Sequence, residues 1–329
     1  MWKKDYKPLV LITIGEVTGV GPEVIAKTLQ DERLRNAARI FVIGTDSVFN
    51  YFLNKDQINV TDNLKKYLPT HVNIIRVGDI KGVEFGKPTK SSARLAMQSL
   101  EVAVELVKQE KNASLVTAPI YKKGMQDAGF SFPGHTEFLS ERFNSKVLMS
   151  FWGKRLRVAT ITTHLPLKEV PKNITREKLA TALNISFNSL SSLLKKEKPC
   201  IAVVGLNPHA GEEGKLGDEE IKVINPLCEE FRKNGYNLNG PLPADTAFGN
   251  ALKGAYDMVI GMYHDQVLAP FKMLYFEDGV NVTLGLPFVR TSPDHGTAFD
   301  IAGKGVASEK SFINAVKLAI KMEKSRRNK

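Results

Sequence analysis

Three histidines each follow an apolar, strand-like run: Arg157-Val-Ala-Thr-Ile-Thr-Thr-His164, Ile201-Ala-Val-Val-Gly-Leu-Asn-Pro-His209 and Asp257-Met-Val-Ile-Gly-Met-Tyr-His264. Imidazole is the commonest protein ligand for metals. In open α/β sheets, functional groups gather beyond the carboxyl ends of strands. A single histidine in such a place is ordinarily a hydrogen-bonded structural residue. Three in the same context point to one metal site assembled from distant segments, since their spacing is far too wide for a local helical motif of the HExxH kind. Three neutral imidazoles with an open position suit catalytic zinc or a similar divalent ion. Asp245 and Asp265 lie in the same stretch. Each is open to three roles: ligand, orienter of an imidazole or helix cap. For Asp245, which precedes Thr-Ala-Phe, the cap is the plain alternative.

Other segments carry groups suited to anions. In Phe132-Pro-Gly-His-Thr-Glu-Phe-Leu139 a turn leads into a predicted helix opened by His135 and Thr136. A helix start offers unpaired N–H groups and a positive dipole end, though an ordinary Thr cap explains the pattern equally well. Lys272, Asn281 and Arg290 supply an ammonium, an amide and a guanidinium for phosphate or carboxylate oxygens. Scattered basic residues in a basic protein are also commonly just surface. The segment Asp294-His-Gly-Thr-Ala-Phe-Asp-Ile-Ala-Gly-Lys-Gly305 has glycines that admit close backbone approach to a ligand, or merely make turns. No GxGxxG follows a strand, and Gly15-Glu-Val-Thr-Gly-Val-Gly21 is spaced differently, so a dinucleotide-binding fingerprint of the Rossmann kind is excluded. Gly21-Pro22 is a suitable helix start.

These groups need a scaffold. Strand-like runs alternate with amphipathic stretches: strands at 9–14, 40–43, 72–77, 113–116, 201–204, 257–260 and 281–284, and a hairpin of 146–151 with 156–162. Helices are predicted at 22–37, 91–111, 136–142, 176–196, 218–233 and 312–323. The alternation predicts an α/β fold with a largely parallel sheet, and the chain crosses between two lobes more than once. The 329 residues are 43% hydrophobic, enough for a sizeable core, and no apolar run approaches the roughly 20 residues that span a bilayer. The start lacks a cleavage pattern for a signal peptide, and Cys200 and Cys228 form no redox or metal motif, so a cytoplasmic location is expected. The net charge of +11 collects partly at Lys3, Lys4, Lys7 and Lys324-Ser-Arg-Arg-Asn-Lys329, read as solvated tails. Without a nucleic-acid motif or interleaved aromatics, no nucleic-acid partner is expected.

Seven pieces run in order over nearly the whole chain: Gly19-Val-Gly-Pro-Glu23, Gly134-His-Thr-Glu137, Thr163-His-Leu-Pro166, Asn207-Pro-His-Ala-Gly-Glu212, Gly240-Pro-Leu-Pro-Ala-Asp-Thr246, Tyr263-His-Asp-Gln-Val-Leu-Ala-Pro-Phe-Lys272 and Asp294-His-Gly-Thr-Ala298. Together they resemble the 4-hydroxythreonine-4-phosphate dehydrogenase family of pyridoxal phosphate synthesis. The last loop is similar to the cofactor loop of isocitrate and isopropylmalate dehydrogenases. The resemblance implies a two-lobed α/β/α fold, with one lobe at 1–130 plus 290–329, a second at 131–289, and an active site in the interdomain cleft. It implies His164, His209 and His264 as ligands of one divalent metal (zinc, magnesium or cobalt), drawn from both subunits of a homodimer. His135, Thr136, Lys272, Asn281 and Arg290 fall on substrate-binding positions. Gly296, Asp300 and Gly303 would meet NAD or NADP, and Asp245, Asp265 and Lys272 are candidates for proton transfer. The implied reaction is oxidation of 4-phosphohydroxy-L-threonine followed by decarboxylation to 3-amino-2-oxopropyl phosphate, a step towards pyridoxine 5'-phosphate. Alternatives are a sister dehydrogenase of phosphoerythronate or threonate phosphate, a phosphate acyltransferase of related fold, and a nonenzymatic metal- or phosphate-binding protein. The family commonly has Pro-Ala at Val17-Thr18 and Gly at Glu213, departures that touch the cofactor contacts and leave the histidines intact.

Overall fold

The run Leu9–Thr13 is buried at every position and forms β1, as befits a strand covered on both faces of its sheet. In the computed structural model, which describes residues 6–327, four more strands align with it in parallel. They are β2 (Arg39–Gly44), β3 (Ile58–Thr61), β4 (Val72–Arg76) and β5 (Ala113–Thr117), in the order β3-β4-β2-β1-β5. The accompanying helices are α1 (Gly21–Leu29), α2 (Glu32–Ala37), α3 (Lys90–Gln109), α4 (Lys122–Asp127) and α5 (His135–Arg142). Side chains alternate across a strand. Leu9, Leu11, Phe41, Ile43 and Leu115 pack on one face with Ala96, Leu100 and Val104 of α3.

The chain then builds a second unit, Lys146–Gly285. It contains β6 (Leu148–Trp152), β7 (Arg157–Thr160), α6 (Val170–Asn173), α7 (Arg176–Leu194), β8 (Ile201–Val204), α8 (Asn225–Lys233), β9 (Leu238–Leu242), α9 (Ala244–Leu252), β10 (Met258–Gly261), α10 (His264–Tyr275) and β11 (Val280–Leu284). The strand order is β11-β6-β7-β10-β8-β9. The pairs β11/β6 and β6/β7 are antiparallel, and β7, β10, β8 and β9 are parallel. Val158, Ala202, Val204 and Val259 meet Phe248 of α9 and Val267, Leu268 and Phe271 of α10 in one core. The chain finally returns to the first unit, where β12 (Arg290–Pro293) pairs in parallel with β5, and α11 (Lys310–Arg327) packs against β1, β5 and β12.

Several expectations need correction. Residues 131–145 belong to the first unit, not the second, because Phe138 and Leu139 of α5 are buried in its core. The helix expected at 22–37 is broken: Asp31 leaves helical geometry and caps α2 by accepting from Arg33 N. The 218–233 helix opens with a π-turn, Glu220–Ile224. Of the supposed basic tails, Lys3, Lys4 and Lys329 lie outside the described residues. Lys324, Arg326 and Arg327 instead continue α11, where Arg326 pairs with buried Glu323 and Arg327 stacks on Tyr6. Among the described residues no helix is long and apolar enough to cross a membrane, and both cysteines are free thiols.

The placement of α5 is testable. Phe138→Ala removes a ring with no solvent exposure and should lower the unfolding free energy by about 3–5 kcal/mol, read from urea unfolding. A loss below about 1 kcal/mol would contradict the packing.

Candidate functional site

In the second unit β10 lies between β7 and β8, with both pairings parallel. The chain leaves all three strands at the same edge and reaches a histidine within a few residues each time. The strand ends are tied beyond the ladder itself. Thr162 N and Oγ1 both donate to Met262 O. Gln266 Nε2 donates to Gly205 O while its Oε1 accepts from Met262 N at 2.7 Å. The rings of His164 and His264 stand 5.9 Å apart. His264 Nδ1 is 2.6 Å from Asp265 Oδ1. This contact holds the Nδ1 edge of the ring, the geometry that one of the three roles open to Asp265, orienter of an imidazole, requires. His209 is exposed on a turn of its own, in the left-handed region at φ +52°. Among the described residues, no three His, Cys, Asp or Glu side chains come close enough to hold a metal ion. One chain thus brings two imidazoles together and leaves the third on the neighbouring strand end.

The other second-unit candidates are placed as follows. Asp245 is the second residue of α9 and exposed, with Oδ1 accepting from Thr246 N. Pro243 holds the cap position, so Asp245 is not the cap. Lys272 is on α10, part-buried, with its ammonium 5.6 Å from the Phe276 ring centroid. Asn281 lies on β11 opposite Phe151, and its Oδ1 is buried without a protein partner, a position that a ligand donor would satisfy.

In the first unit, Arg290 begins β12 at 3% exposure and donates from Nη2 to Thr117 Oγ1 at the end of β5, 2.6 Å away. Burial pushes its guanidinium pKa down to about 10, against a smaller opposing effect of Glu137. It therefore stays charged at neutral pH. Gly134 caps α5 with extended backbone, and His135 and Thr136 open the helix; the Thr136 cap does not form. His135 keeps some surface exposed, but its Nε2 is buried without a protein partner. Burial, then the charges of Arg290 and Lys122, hold its pKa well below 6.5. A neutral ring, a cationic Arg290 and a helix start thus share one locality, an arrangement suited to an anion. Sequence reasoning missed Thr117 and Lys122. A Cβ on Gly134 would meet the Lys122 Cε at 3.4 Å. The available signal was Thr117-Ala-Pro, directly at the end of an apolar strand.

The loop between β12 and α11 carries Gly296 and Asp300 on its exposed side. Gly303 has φ +75°, and a Cβ there would lie 2.5 Å from the Phe85 ring, so its glycine is required by the turn itself. The loop interlocks with residues 15–21: Val20 N donates to Thr297 O at 2.9 Å. Its far end is clamped by Glu23, which accepts from Gly305 N and Ala307 N, and by Lys27, which donates to both carbonyls. Thr18 turns its hydroxyl inward onto buried Glu16, 2.8 Å away. Glu213 is exposed at φ +58°, a strained position for a non-glycine residue.

A family model, Pyridoxal phosphate biosynthetic protein PdxA, matches residues 35–319. The 4-hydroxythreonine-4-phosphate dehydrogenase of Geobacter metallireducens is 40% identical over 328 residues, covering 96% of this chain and 96% of its own. A protein of Oceanobacillus iheyensis bearing the name of a D-threonate 4-phosphate dehydrogenase is 38% identical, over 96% of this chain and 98% of its own. The crystal structure of the 4-hydroxythreonine-4-phosphate dehydrogenase from Klebsiella pneumoniae superposes with a TM-score of 0.89 at 34% identity, covering 98% of this chain and 99% of that one.

The state of His135 can be measured. The folded protein resists protonating it, so the unfolded chain takes up the proton first as pH falls. Any stability linked to the neutral ring is present above about pH 6.5 and is lost as pH falls towards the lowered folded-state value. Imidazole NMR should show His135 titrating well below 6.5, and Arg290→Met should move the midpoint upward by removing a cation. A wild-type midpoint at or above 6.5 would contradict the geometry.

Proposed function

The chain belongs to the family of the Pyridoxal phosphate biosynthetic protein PdxA, and on that premise we propose that it is a divalent-metal-dependent, NAD(P)-linked dehydrogenase, with NAD the expected cofactor. Its substrate would be 4-phosphohydroxy-L-threonine, oxidised at the secondary alcohol and then decarboxylated to 3-amino-2-oxopropyl phosphate. The observation that carries this reading is the adjacency of three parallel strands, β7, β10 and β8, each followed by one of the histidines.

The donor set suits such an ion. His264 is fixed through Nδ1, and His164 stands beside it. Imidazole nitrogens favour zinc or cobalt over magnesium, which prefers oxygen. The full trio would close only with a second copy of the chain. Support for that copy comes from exposed apolar side chains within four residues of His164 and Lys272: Leu165, Leu167, Met273 and Phe276, the last two at 87% and 77% exposure. A bound divalent cation supplies Lewis acidity towards a hydroxyl or carbonyl oxygen, and a nicotinamide supplies the hydride acceptor.

The chain's own residues do the rest. Arg290 and the α5 N-terminus, with neutral His135 and Thr136, would bind an anionic group of the substrate, and Lys272 and Asn281 another. Asp265 would hold the His264 ring in orientation. Lys272 and Asp245 are assigned to proton transfer. Gly296 and Asp300 would face the cofactor, with Gly303 shaping the loop that presents them. A second reading, D-threonate 4-phosphate as substrate, is favoured by the Oceanobacillus relative. The two substrates differ at C2, an ammonium in one and a hydroxyl in the other.

The test follows NADH absorbance with each substrate, with and without a chelator. 4-Phosphohydroxythreonine should be turned over only with metal present. His209→Ala should lower kcat/KM by more than about 100-fold, beyond what loss of a residue that merely orients a ligand costs, while leaving the fold intact. Turnover of D-threonate 4-phosphate alone would transfer the assignment to the second reading. Wild-type rates in chelator would overturn both.

A further inference from the structure

His209 stands on unusual backbone. His209, Ala210, Gly211, Glu212 and Glu213 are successive residues in the left-handed region, with φ between +43° and +82°, and Gly214 follows at +92°. For an L-residue this conformation costs about 1–2 kcal/mol each. Four of the six carry a side chain, so the turn persists only if its surroundings over-determine it.

One buried carboxylate sits against it. Glu220 is 1% exposed and opens the π-turn Glu220–Ile224. Its Oε1 accepts from Asn207 N at 2.8 Å and its Oε2 from Asn207 Nδ2 at 2.9 Å. The same Nδ2 also donates to Glu219 Oε2 at 2.8 Å. Both oxygens of the buried group thus end on the residue two before His209. The backbone closes over them on two sides: a Cβ on Gly205 would come within 2.8 Å of Oε1, and one on Gly211 within 2.7 Å of Oε2. A Cβ on Gly217 would strike the Asn207 amide at 2.2 Å. The strand end, the turn and its exit are therefore wrapped around one Glu220–Asn207 pair, and charge-assisted hydrogen bonds of this kind are about twice as strong as neutral ones.

We infer that Glu220 is a positioning residue: through Asn207 it holds the left-handed turn that presents His209. This rests on the reading of His209 as a metal ligand. Glu220 itself is buried beneath the turn and is assigned no contact with substrate or cation. It acts two residues away, by fixing where the His209 backbone begins.

The experiment uses the full chain and zinc as the probe. Glu220→Gln keeps the shape but sets an amide donor against the Asn207 donors. It should weaken zinc binding, measured calorimetrically, by about 10–100-fold, the effect typical of groups that orient a ligand. Adding the same change to His209→Ala should produce no further loss, because the effect passes through His209. Where His209→Ala does weaken zinc binding, an unchanged zinc affinity in Glu220→Gln, or an equal loss in both backgrounds, overturns the inference. A second readout needs no metal: in metal-free protein, amide hydrogen exchange over residues 207–216 should quicken at least about tenfold, with β8 still protected. Unchanged exchange overturns the inference whatever zinc does. Quickened exchange, with His209→Ala binding zinc like wild type, would sink the ligand reading and keep the positioning role. If Glu220→Gln fails to fold, Asn207→Ala cuts the same link from the other end and should give the same pattern.

Discussion

Backbone hydrogen bonding between β7, β10 and β8 sets three chain exits about 4.8 Å apart from one to the next. The chemistry assigned to the second unit depends on that constraint. A parallel ladder runs all its strands in one direction, so every exit lies on the same edge, and residues distant in sequence become neighbours without contacting one another inside the sheet. Further bonds then sharpen the alignment. Thr162 and Gln266 bind groups at the β7, β8 and β10 ends directly, so that Met262 is held from both sides. His164 and His264 inherit their proximity from this edge, and Asp265 adds orientation to one ring.

The first unit solves a different problem. A guanidinium at 3% exposure has lost most of its water, and desolvation disfavours charge. Arg290 keeps its proton because its intrinsic affinity is so high that even a value near 10 leaves it cationic at neutral pH. Burial, and after it the charges of Arg290 and Lys122, make protonation of His135 unfavourable. The locality therefore offers one permanent cation and one ring held neutral, beside the free N–H groups of α5. The loop carrying Gly296 and Asp300 is fixed at both ends, by Val20 at one and by the Glu23–Lys27 pair at the other.

Much of this was legible along the chain. An apolar run followed by polar residues and a histidine marks a strand and its exit, and that signal is local. The order of the exits is not: β10 lies between β7 and β8 although it comes last of the three in sequence, and nothing short of the crossovers reveals it. Helix α10 was hidden by Pro270 in its interior, and β9 and β12 by the prolines each contains. Residues 131–145 were assigned to the wrong unit because nothing local in Phe138 or Leu139 says which core receives them. Glu220 was invisible for a different reason. Asp218-Glu219-Glu220 opens the helix expected at 218–233, and only the folded backbone shows one carboxylate of the three turned inward. The left-handed turn after Pro208 was equally hidden, since non-glycine residues rarely adopt such geometry.

The central claim is that imidazoles from three strand exits grip one ion. An anomalous-difference map from crystals grown with zinc, with data on both sides of its absorption edge, tests it most directly. The account predicts one peak per chain, with nitrogens of His164, His209 and His264 each about 2.0–2.1 Å away, the three rings being drawn from two copies of the chain. A peak on other residues, or none on these three, would contradict it.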